Sequence, residues 1–214
     1  MLVKKIDFPV QNLHDLMEEI LPELAHQNTN KFNLKIITNL LKTLKIHHPG
    51  TYQHSLNVAR LSAWLARELG LPQTEIFEIA IGALIHDIGK IKIASSILDK
   101  PSKLTDEEWQ IIKKHPKIGI HLLAEYNWAH NLYPMIAYHH ERVDGNGYLR
   151  LTGEEIPLCA KIICIADAFD AMYSTRPYRP KLTLTQCLHE IKKNSGTQFD
   201  QDLVEPFISI TAKI

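Results

Sequence analysis

The sequence predicts an all-α protein. Apolar residues recur at intervals of three and four along most of the chain, which is the spacing of one helix face, and the alternation typical of strands is scarce. Proline and glycine interrupt these stretches and indicate where helices end. The 214 residues, with 45% hydrophobic and 22% charged side chains, suffice for one domain with a substantial core, or for a domain with an appendage.

Four helices are predicted in the first part of the chain. The clearest has Val58, Leu61 and Leu65 on one face and ends before Gly70, a residue that often follows a helix C-terminus. His54 lies on the same face, one turn earlier. The predicted spans are 10–26, 31–46 and 52–69, with a break at His47-His48-Pro49-Gly50, and a last helix from Pro72 to His86-Asp87.

The second part of the chain is predicted as shorter helices joined by polar loops. A capping-box pattern at Thr105 and Glu108 begins a helix that carries His115. Pro116 is expected to end this helix. The run Glu141–Tyr148 places two glycines among polar residues, which indicates an ordered, turn-rich loop. Further helices are predicted over 118–126, before His139-His140, and from Pro157, in the first turn, to about Met172.

Side chains that bind metals occur near several predicted helix ends. His86 and Asp87 follow a long apolar stretch, where an unpaired buried carboxylate is costly. Asp167 follows an apolar run and therefore needs a base, such as Arg176, or a metal as partner. Imidazole and carboxylate together suit divalent iron, manganese or zinc. The candidate ligands are His54, His86, Asp87, His115, His139, His140 and Asp167.

The number of these donors predicts two metal ions. Seven nitrogen and oxygen ligands exceed what one ion normally takes from a protein, so we expect two divalent ions, iron or manganese, bridged by Asp87. Such a centre activates water for hydrolysis. The remaining histidines are expected to be solvated or packed; they are His14, His26, His47, His48, His121, His130 and His189.

Composition and charge exclude several kinds of function. Lysine and arginine together number 24, and so do aspartate and glutamate, so the formal net charge is zero. This balance argues against a protein that coats nucleic acid and against a polybasic membrane anchor. No apolar stretch approaches the roughly 20 residues that span a bilayer, and no signal peptide is expected. Three cysteines without a C-x-x-C pair are typical of a reducing compartment. We expect a cytoplasmic protein that binds neither DNA nor membrane.

The ordered set of motifs resembles the HD-GYP domain, a bacterial branch of the HD metal-dependent phosphohydrolases. The resemblance implies an HD-type helical bundle with a turn-rich GYP-like loop. We accordingly expect an N-terminal helical extension over residues 1–30 and a phosphohydrolase domain over residues 31–214. The matching motifs are His54, His86-Asp87-Ile88-Gly89-Lys90, His115-Pro116 with Gly119, His139-His140-Glu141, Asp144-Gly145, Gly147-Tyr148, Ile165-Ala166-Asp167 and Arg176-Pro177-Tyr178-Arg179.

The resemblance also implies an activity, the hydrolysis of cyclic di-GMP to linear pGpG, to GMP or to both. It implies catalytic roles for Asp87 and Lys90. The substrate contacts that it implies are Lys90, Tyr148, Arg176 and Arg179. Two alternatives stay open. One is a phosphohydrolase that acts on another nucleotide, and the other is a catalytically weak sensor or adaptor that binds a dinucleotide or a signalling protein.

Two departures from the family pattern affect these expectations. The Gly-Tyr-Pro signature reads Gly147-Tyr148-Leu149 here, and the loss of proline could loosen the loop or change its contacts with a partner. Family members with three ions carry a glutamate four residues before the first histidine. Gly50 takes this place, which favours two ions. The first thirty residues are expected to pack on the domain or to pair subunits in a homodimer.

Overall fold

The helices and their order are given by a computed structural model that describes residues 9–20, 33–174, 181–211 and 214. Within these residues the secondary structure is helical, with isolated β-bridges and no sheet, so the predicted all-α class is confirmed. None of the described helices is long and apolar enough to cross a membrane. The α-helices are α1 (Leu13–Ile20), α2 (Leu34–His47), α3 (Pro49–Glu68), α4 (Gln73–Ile85), α5 (Ser95–Leu98), α6 (Asp106–Ile112), α7 (His115–Leu123), α8 (Tyr133–Tyr138), α9 (Leu158–Tyr173), α10 (Leu184–Lys193) and α11 (Gln201–Thr211), and short 3₁₀ helices cover Ile88–Lys92 and Asn127–Leu132.

Local sequence signals place several helix ends correctly. The predicted break between α2 and α3 lies at His48, whose side chain accepts a hydrogen bond from the N–H of Thr51 at 2.9 Å and caps α3. Thr105 and Glu108 form the predicted capping box at the start of α6. A second reciprocal box, Thr183 with Gln186, starts α10, a helix that the sequence analysis did not predict.

The helix assignment of His115 was wrong. Helix α6 ends at Ile112, and His115 is the first residue of α7. Pro116 lies in the first turn of α7, where its missing N–H costs no hydrogen bond, so this proline begins a helix instead of ending one. Pro157 was also misplaced by one position, since it precedes α9 as the N-cap.

Helix α3 lies at the centre of the core. Every residue from His54 to Ala66 is buried, whereas the sequence pattern predicted a single buried face. The helices α1, α2, α4, α9 and α11 all contact α3. Because α3 begins just before His54, α4 ends just before His86, and α9 carries Asp167, this packing brings the three segments together.

A close backbone contact places the start of α7 beside His86 and Asp87. Gly89 lies in the 3₁₀ helix that follows Asp87 and packs against α7. A Cβ atom on Gly89 would overlap the carbonyl oxygen of His115 and would lie 2.7 Å from the nitrogen of Gly119. Only glycine fits this contact without a backbone shift, and the contact brings His115 next to His86 and Asp87, which we call the HD pair.

Residues 9–20 of the predicted N-terminal extension lie along α3. Leu16 and Ile20 are buried in the same core cluster as the residues of α3. The carboxylate of Glu19 pairs with Arg60 at 2.8 Å and accepts a hydrogen bond from the indole nitrogen of Trp64 at 2.8 Å. The described part of the extension therefore packs on the domain, and the boundary at residue 30 stays a prediction.

Candidate metal centre

The structure brings all seven predicted ligands into one cluster. The donor atoms form two sets, and within each set all donor atoms lie within 4.8 Å of one another. The two sets share Asp87. We call them the His54 set (His54, His86 and Asp87) and the His115 set (Asp87, His115, His139 and His140). Asp167 joins both, because one carboxylate oxygen lies 2.9 Å from Nε2 of His54 and the other lies 3.6 Å from Nδ1 of His140.

The two carboxylate oxygens of Asp87 face different sets. Oδ1 lies 3.1 Å from Nε2 of His115 and 4.0 Å from Nε2 of His139. Oδ2 lies 3.5 Å from Nε2 of His86 and 3.9 Å from Nε2 of His54. A carboxylate placed in this way can bridge two cations, as the sequence analysis expected of Asp87.

Backbone carbonyls orient three of the imidazole rings. A carbonyl oxygen only accepts, so each Nδ1 that is bonded to one carries the hydrogen, and in the neutral ring Nε2 keeps a free lone pair that points into the cluster. These bonds run from Nδ1 of each histidine to the carbonyl three residues earlier: His86 to Ala83 (2.6 Å), His115 to Ile112 (2.7 Å) and His139 to Ile136 (2.9 Å).

Burial and charge give His54 a different protonation state from the other clustered histidines. Burial lowers the pKa of His115 and of His140 to about 3, so both rings are neutral near pH 7. Burial also lowers the pKa of His54, but hydrogen bonds to Asp167 and Asp170 outweigh this effect and raise the pKa to about 9. His54 is therefore protonated near pH 7 in the metal-free protein.

The cluster fits divalent metal ions. Among the described residues, Nε2 of His86 and Oδ1 of Asp87 are buried without a hydrogen-bond partner. A buried polar atom without a partner is costly. Nε2 of His86 faces the His54 set and Oδ1 of Asp87 faces the His115 set, so a cation at each set would satisfy one of these atoms. The mixture of imidazole and carboxylate donors suits iron, manganese or zinc.

Asp170 belongs to the site although the sequence analysis did not single it out. It is fully buried, and one carboxylate oxygen lies 2.6 Å from Nδ1 of His54. The other oxygen accepts hydrogen bonds from Asn57 at 2.8 Å and from Ser174 at 2.9 Å. The available signal was an aspartate one helical turn after Asp167 on the same apolar helix.

A cavity of about 390 Å³ opens beside the cluster, and Lys90 lies at its edge. The ammonium group of Lys90 is 2.5 Å from Oδ2 of Asp87. Burial raises the pKa of Asp87, but the charges of Lys90 and of protonated His54 help to hold this pKa well below its usual range. The lining residues include His54, Thr51, Lys90, Lys103, Leu104, Trp109, His140, Tyr148 and Asp167.

Tyr148 lies between the His115 set and the outer part of the cavity. Its ring centroid is 4.6 Å from that of His140 and 6.1 Å from that of Trp109. Burial raises the pKa of Tyr148, so its hydroxyl group stays protonated and can donate a hydrogen bond. The other two predicted substrate contacts, Arg176 and Arg179, lie outside the described residues.

Two histidines outside the predicted cluster hold one cavity wall in place. Nε2 of His47 lies 2.7 Å from the carbonyl oxygen of Ile93, and Nε2 of His48 lies 3.0 Å from the carboxylate of Asp99. Both contacts tie the segment after the HD pair to the junction of α2 and α3. The sequence offered no signal for this pairing, because the partners are distant along the chain.

Comparison with known proteins identifies the family. The HD domain matches residues 38–203, which is most of the chain. This chain belongs to the HD domain family. It is 41% identical over 167 residues to a cyclic di-GMP phosphodiesterase of Thermotoga maritima, an alignment that covers 77% of this chain and 45% of the relative. The predicted family relationship is therefore confirmed.

Other relatives of this HD domain include a 3′3′-cGAMP-specific phosphodiesterase of Vibrio cholerae, which is 35% identical over 183 residues, or 85% of this chain and 40% of the relative. The fold resembles the solved structure of Bd1817, a HDG"Y"P protein from Bdellovibrio bacteriovorus. That match has a TM-score of 0.64 and 18% identity, and it covers 91% of this chain and 57% of the other. The chain spans less than half the length of the two curated relatives described here.

In this HD domain a buried glutamate organises the GYP-like loop. Glu141 is 2% exposed, and its two carboxylate oxygens accept hydrogen bonds from the N–H of Leu149 at 2.7 Å and of Leu151 at 2.9 Å. Gly147 packs directly on this glutamate, since a Cβ atom there would lie 2.6 Å from the Cα of Glu141. The carboxylate of Glu141 is therefore engaged by the loop.

Leu149, which stands where the HD-GYP signature has proline, donates one of these hydrogen bonds to Glu141. A proline, which the HD-GYP signature carries at this position, has no N–H and could not donate to Glu141. The loop thus exchanges the fixed backbone angle of proline for one more hydrogen bond. The side chain of Leu149 is 59% exposed.

Proposed function

We propose that this HD domain is a metal-dependent phosphodiesterase that hydrolyses a cyclic dinucleotide, with cyclic di-GMP as the first candidate and pGpG, GMP or both as products. The observation that carries the proposal is the pair of overlapping ligand sets that share Asp87 beside an open cavity. The names of the relatives, which act on cyclic di-GMP and 3′3′-cGAMP, support the substrate class. The free cysteines support a reducing, cytoplasmic location.

We propose that two ions, iron or manganese, bind to the seven clustered ligands. Gly50 offers no donor for a third ion, and it is exposed, with His48 as the nearest side chain to a Cβ atom placed there, at 3.2 Å. No aspartate or glutamate occurs between Lys31 and Arg67 to replace it. Anomalous diffraction from crystals soaked in Mn²⁺ should give two adjacent peaks per chain, and three peaks would contradict the proposed number.

The proposed mechanism assigns separate tasks to the residues. Bound ions would lower the pKa of a coordinated water and polarise the phosphoryl oxygens. Hydrolysis adds the water oxygen to phosphorus and releases a ribose oxygen with a proton. Lys90, at the edge of the cavity, would balance negative charge that grows on the phosphate in the transition state. Tyr148 would donate a hydrogen bond to the substrate, and Arg176 and Arg179 are proposed as further phosphate contacts.

The test is product analysis with a panel of substrates. The Mn²⁺-loaded protein should hydrolyse at least one of cyclic di-GMP, 3′3′-cGAMP and cyclic di-AMP, and chromatography would separate linear dinucleotide from mononucleotide. Lys90→Ala should keep its ions but lose more than about tenfold in kcat/KM, or roughly 1.4 kcal/mol. Lys117→Ala, an exposed lysine that does not line the cavity, is the matched control.

Two outcomes would contradict the proposal. Tight binding of a cyclic dinucleotide without turnover would favour the sensor or adaptor alternative. Neither binding nor hydrolysis of any member of the panel would remove cyclic dinucleotides as the substrate class.

A further inference from the structure

A chain of buried hydrogen bonds connects the N-terminal segment to His54. The backbone N–H of Val10 donates to the side-chain oxygen of Asn57 at 3.0 Å. The amide nitrogen of Asn57 donates to one oxygen of Asp170 at 2.8 Å, and the other oxygen of Asp170 lies 2.6 Å from Nδ1 of His54. Val10, Asn57 and Asp170 are each at most 1% exposed, so water does not compete for these bonds.

Chemistry determines the direction of each bond in this chain. The N–H of Val10 can only donate, so the oxygen of the Asn57 amide must face it. The NH₂ group then faces a carboxylate oxygen of Asp170, which accepts its hydrogen bond. If the amide were reversed, two donors would meet at Val10 and two acceptors at Asp170. With Asp170 held, Nδ1–H of His54 has a fixed partner and Nε2 points to the metal cluster.

Helix α3 contacts both backbone polar groups of Val10, its N–H and its carbonyl oxygen. Gln53, one turn before Asn57 on α3, donates from its side-chain nitrogen to the carbonyl oxygen of Val10 at 2.7 Å. The same nitrogen lies 3.3 Å from the Asn57 oxygen. Further along α3, the contact of Trp64 with Glu19 holds the end of α1. The segment is therefore clamped along the helix that carries His54.

We infer that Asn57 is a positioning residue for His54, and that the N-terminal segment completes the metal centre through the N–H of Val10. The inference rests on the proposed role of His54 as a ligand. Without this N–H, the Asn57 oxygen keeps only the longer bond from Gln53, so the amide and the Asp170 carboxylate that it supports hold the imidazole of His54 less firmly. Ion binding at the His54 set is thereby coupled to the position of residues 9–20, whereas His115 and His139 are oriented by the backbone carbonyls of Ile112 and Ile136.

The test compares proline and alanine at residue 10 by titrating Mn²⁺ into the full chain, without substrate. Val10→Ala shortens the buried side chain and keeps the N–H, whereas Val10→Pro removes the N–H and fixes the backbone angle φ. Val10→Pro should weaken one of the two Mn²⁺ sites by about tenfold or more, the range for partners that orient metal ligands. Val10→Ala should weaken it far less, and the second site should be unaffected in both. Thermal unfolding of each variant would show that the fold is retained.

A second pair of variants keeps the inference testable if Val10→Pro does not fold. Asn57→Ala should weaken the same Mn²⁺ site, whereas Ser62→Ala, a buried truncation on the same helix, should not. Equal effects of the two members of either pair, or no effect of Asn57→Ala, would overturn the inference. Because the readout is ion binding, failure to hydrolyse any dinucleotide would contradict the proposed activity but not this inference. Absence of Mn²⁺ binding by the parent protein would overturn both.

Discussion

The His54 set and the His115 set are held together by different forces in the metal-free protein. His54 lies between two carboxylates, 2.9 Å from Asp167 and 2.6 Å from Asp170, and is protonated near pH 7. In the His115 set the imidazoles face one another, with the Nε2 atoms of His115 and His139 only 3.1 Å apart. Burial keeps these rings neutral.

This difference shows that similar ligands can need different steps before they bind an ion. At the His54 set an ion must displace a proton from His54 and take over its contact with Asp167. At the His115 set the lone pairs are already free, since each Nδ1 of His115 and His139 is bonded to a backbone carbonyl. The difference between the sets therefore lies in His54, whose Nε2 contacts the carboxylate of Asp167, whereas the Nδ1 atoms of His86, His115 and His139 are all bonded to backbone carbonyls.

The largest effect is expected from removing the residue that both sets share. Asp87→Asn keeps the shape of the side chain but loses its charge, so both ions should be lost, and turnover should fall by at least about 10²-fold, the scale of one preorganised electrostatic contact. Metal analysis and product formation would measure this. Asp202→Asn, at an exposed aspartate, is the control. Full metal occupancy in Asp87→Asn would rule out a bridging role.

Single variants of the two sets should separate them. His139→Ala should lower the metal content from two ions to one by emptying the His115 set. His54→Ala should do the same at the His54 set. Metal analysis together with Mn²⁺ electron paramagnetic resonance would show which site remains. If either variant lost both ions, the two sets would form one inseparable site and the comparison would fail.

The pH dependence of ion binding should also differ between the sets. His54, with a pKa of about 9, must lose a proton to bind an ion, so affinity at its set should rise by up to about tenfold per pH unit between about pH 7 and pH 9. The pKa of His115 and His140 is about 3, so affinity at the His115 set should not change over this range. Calorimetry in buffers of different ionisation enthalpy would count the released protons.

A matched variant checks the origin of this pH dependence. Asp170→Asn removes a charge that raises the pKa of His54, so it should reduce the number of protons released when Mn²⁺ binds. The same pH dependence at both sets in the parent protein would contradict the assigned protonation states.

The smallest effect is expected in the GYP-like loop, which reaches the His115 set through the contact of Tyr148 with His140. Leu149→Pro would remove the hydrogen bond to Glu141, which is worth about 1 kcal/mol. We expect unchanged metal content and a loss of a few-fold in kcat/KM. Leu149→Ala, which keeps the N–H, is the control. Higher activity in Leu149→Pro would show that the fixed backbone angle matters more than the bond.

Local sequence was sufficient for the all-α class, for the break at His48 and for the capping box at Thr105, because each depends on neighbours within one or two helical turns. It also indicated the seven clustered donors, since ligand-type side chains stood out against apolar helices. The helix of His115 was mispredicted because a proline at the next position is compatible with either a helix end or a helix start. Distinguishing these required the contact of α7 with Gly89.

Only the tertiary structure decided how the donors are divided and supported. His54 and Asp170 are 116 residues apart, and Val10 and Asn57 are 47 residues apart, so no local pattern links them. The two Asp87 oxygens face different histidines, and this arrangement likewise depends on how α3, α4, α7 and α8 pack. The physical reason is that a hydrogen bond or a shared ion depends on distances of a few ångströms, which the packing of distant segments sets.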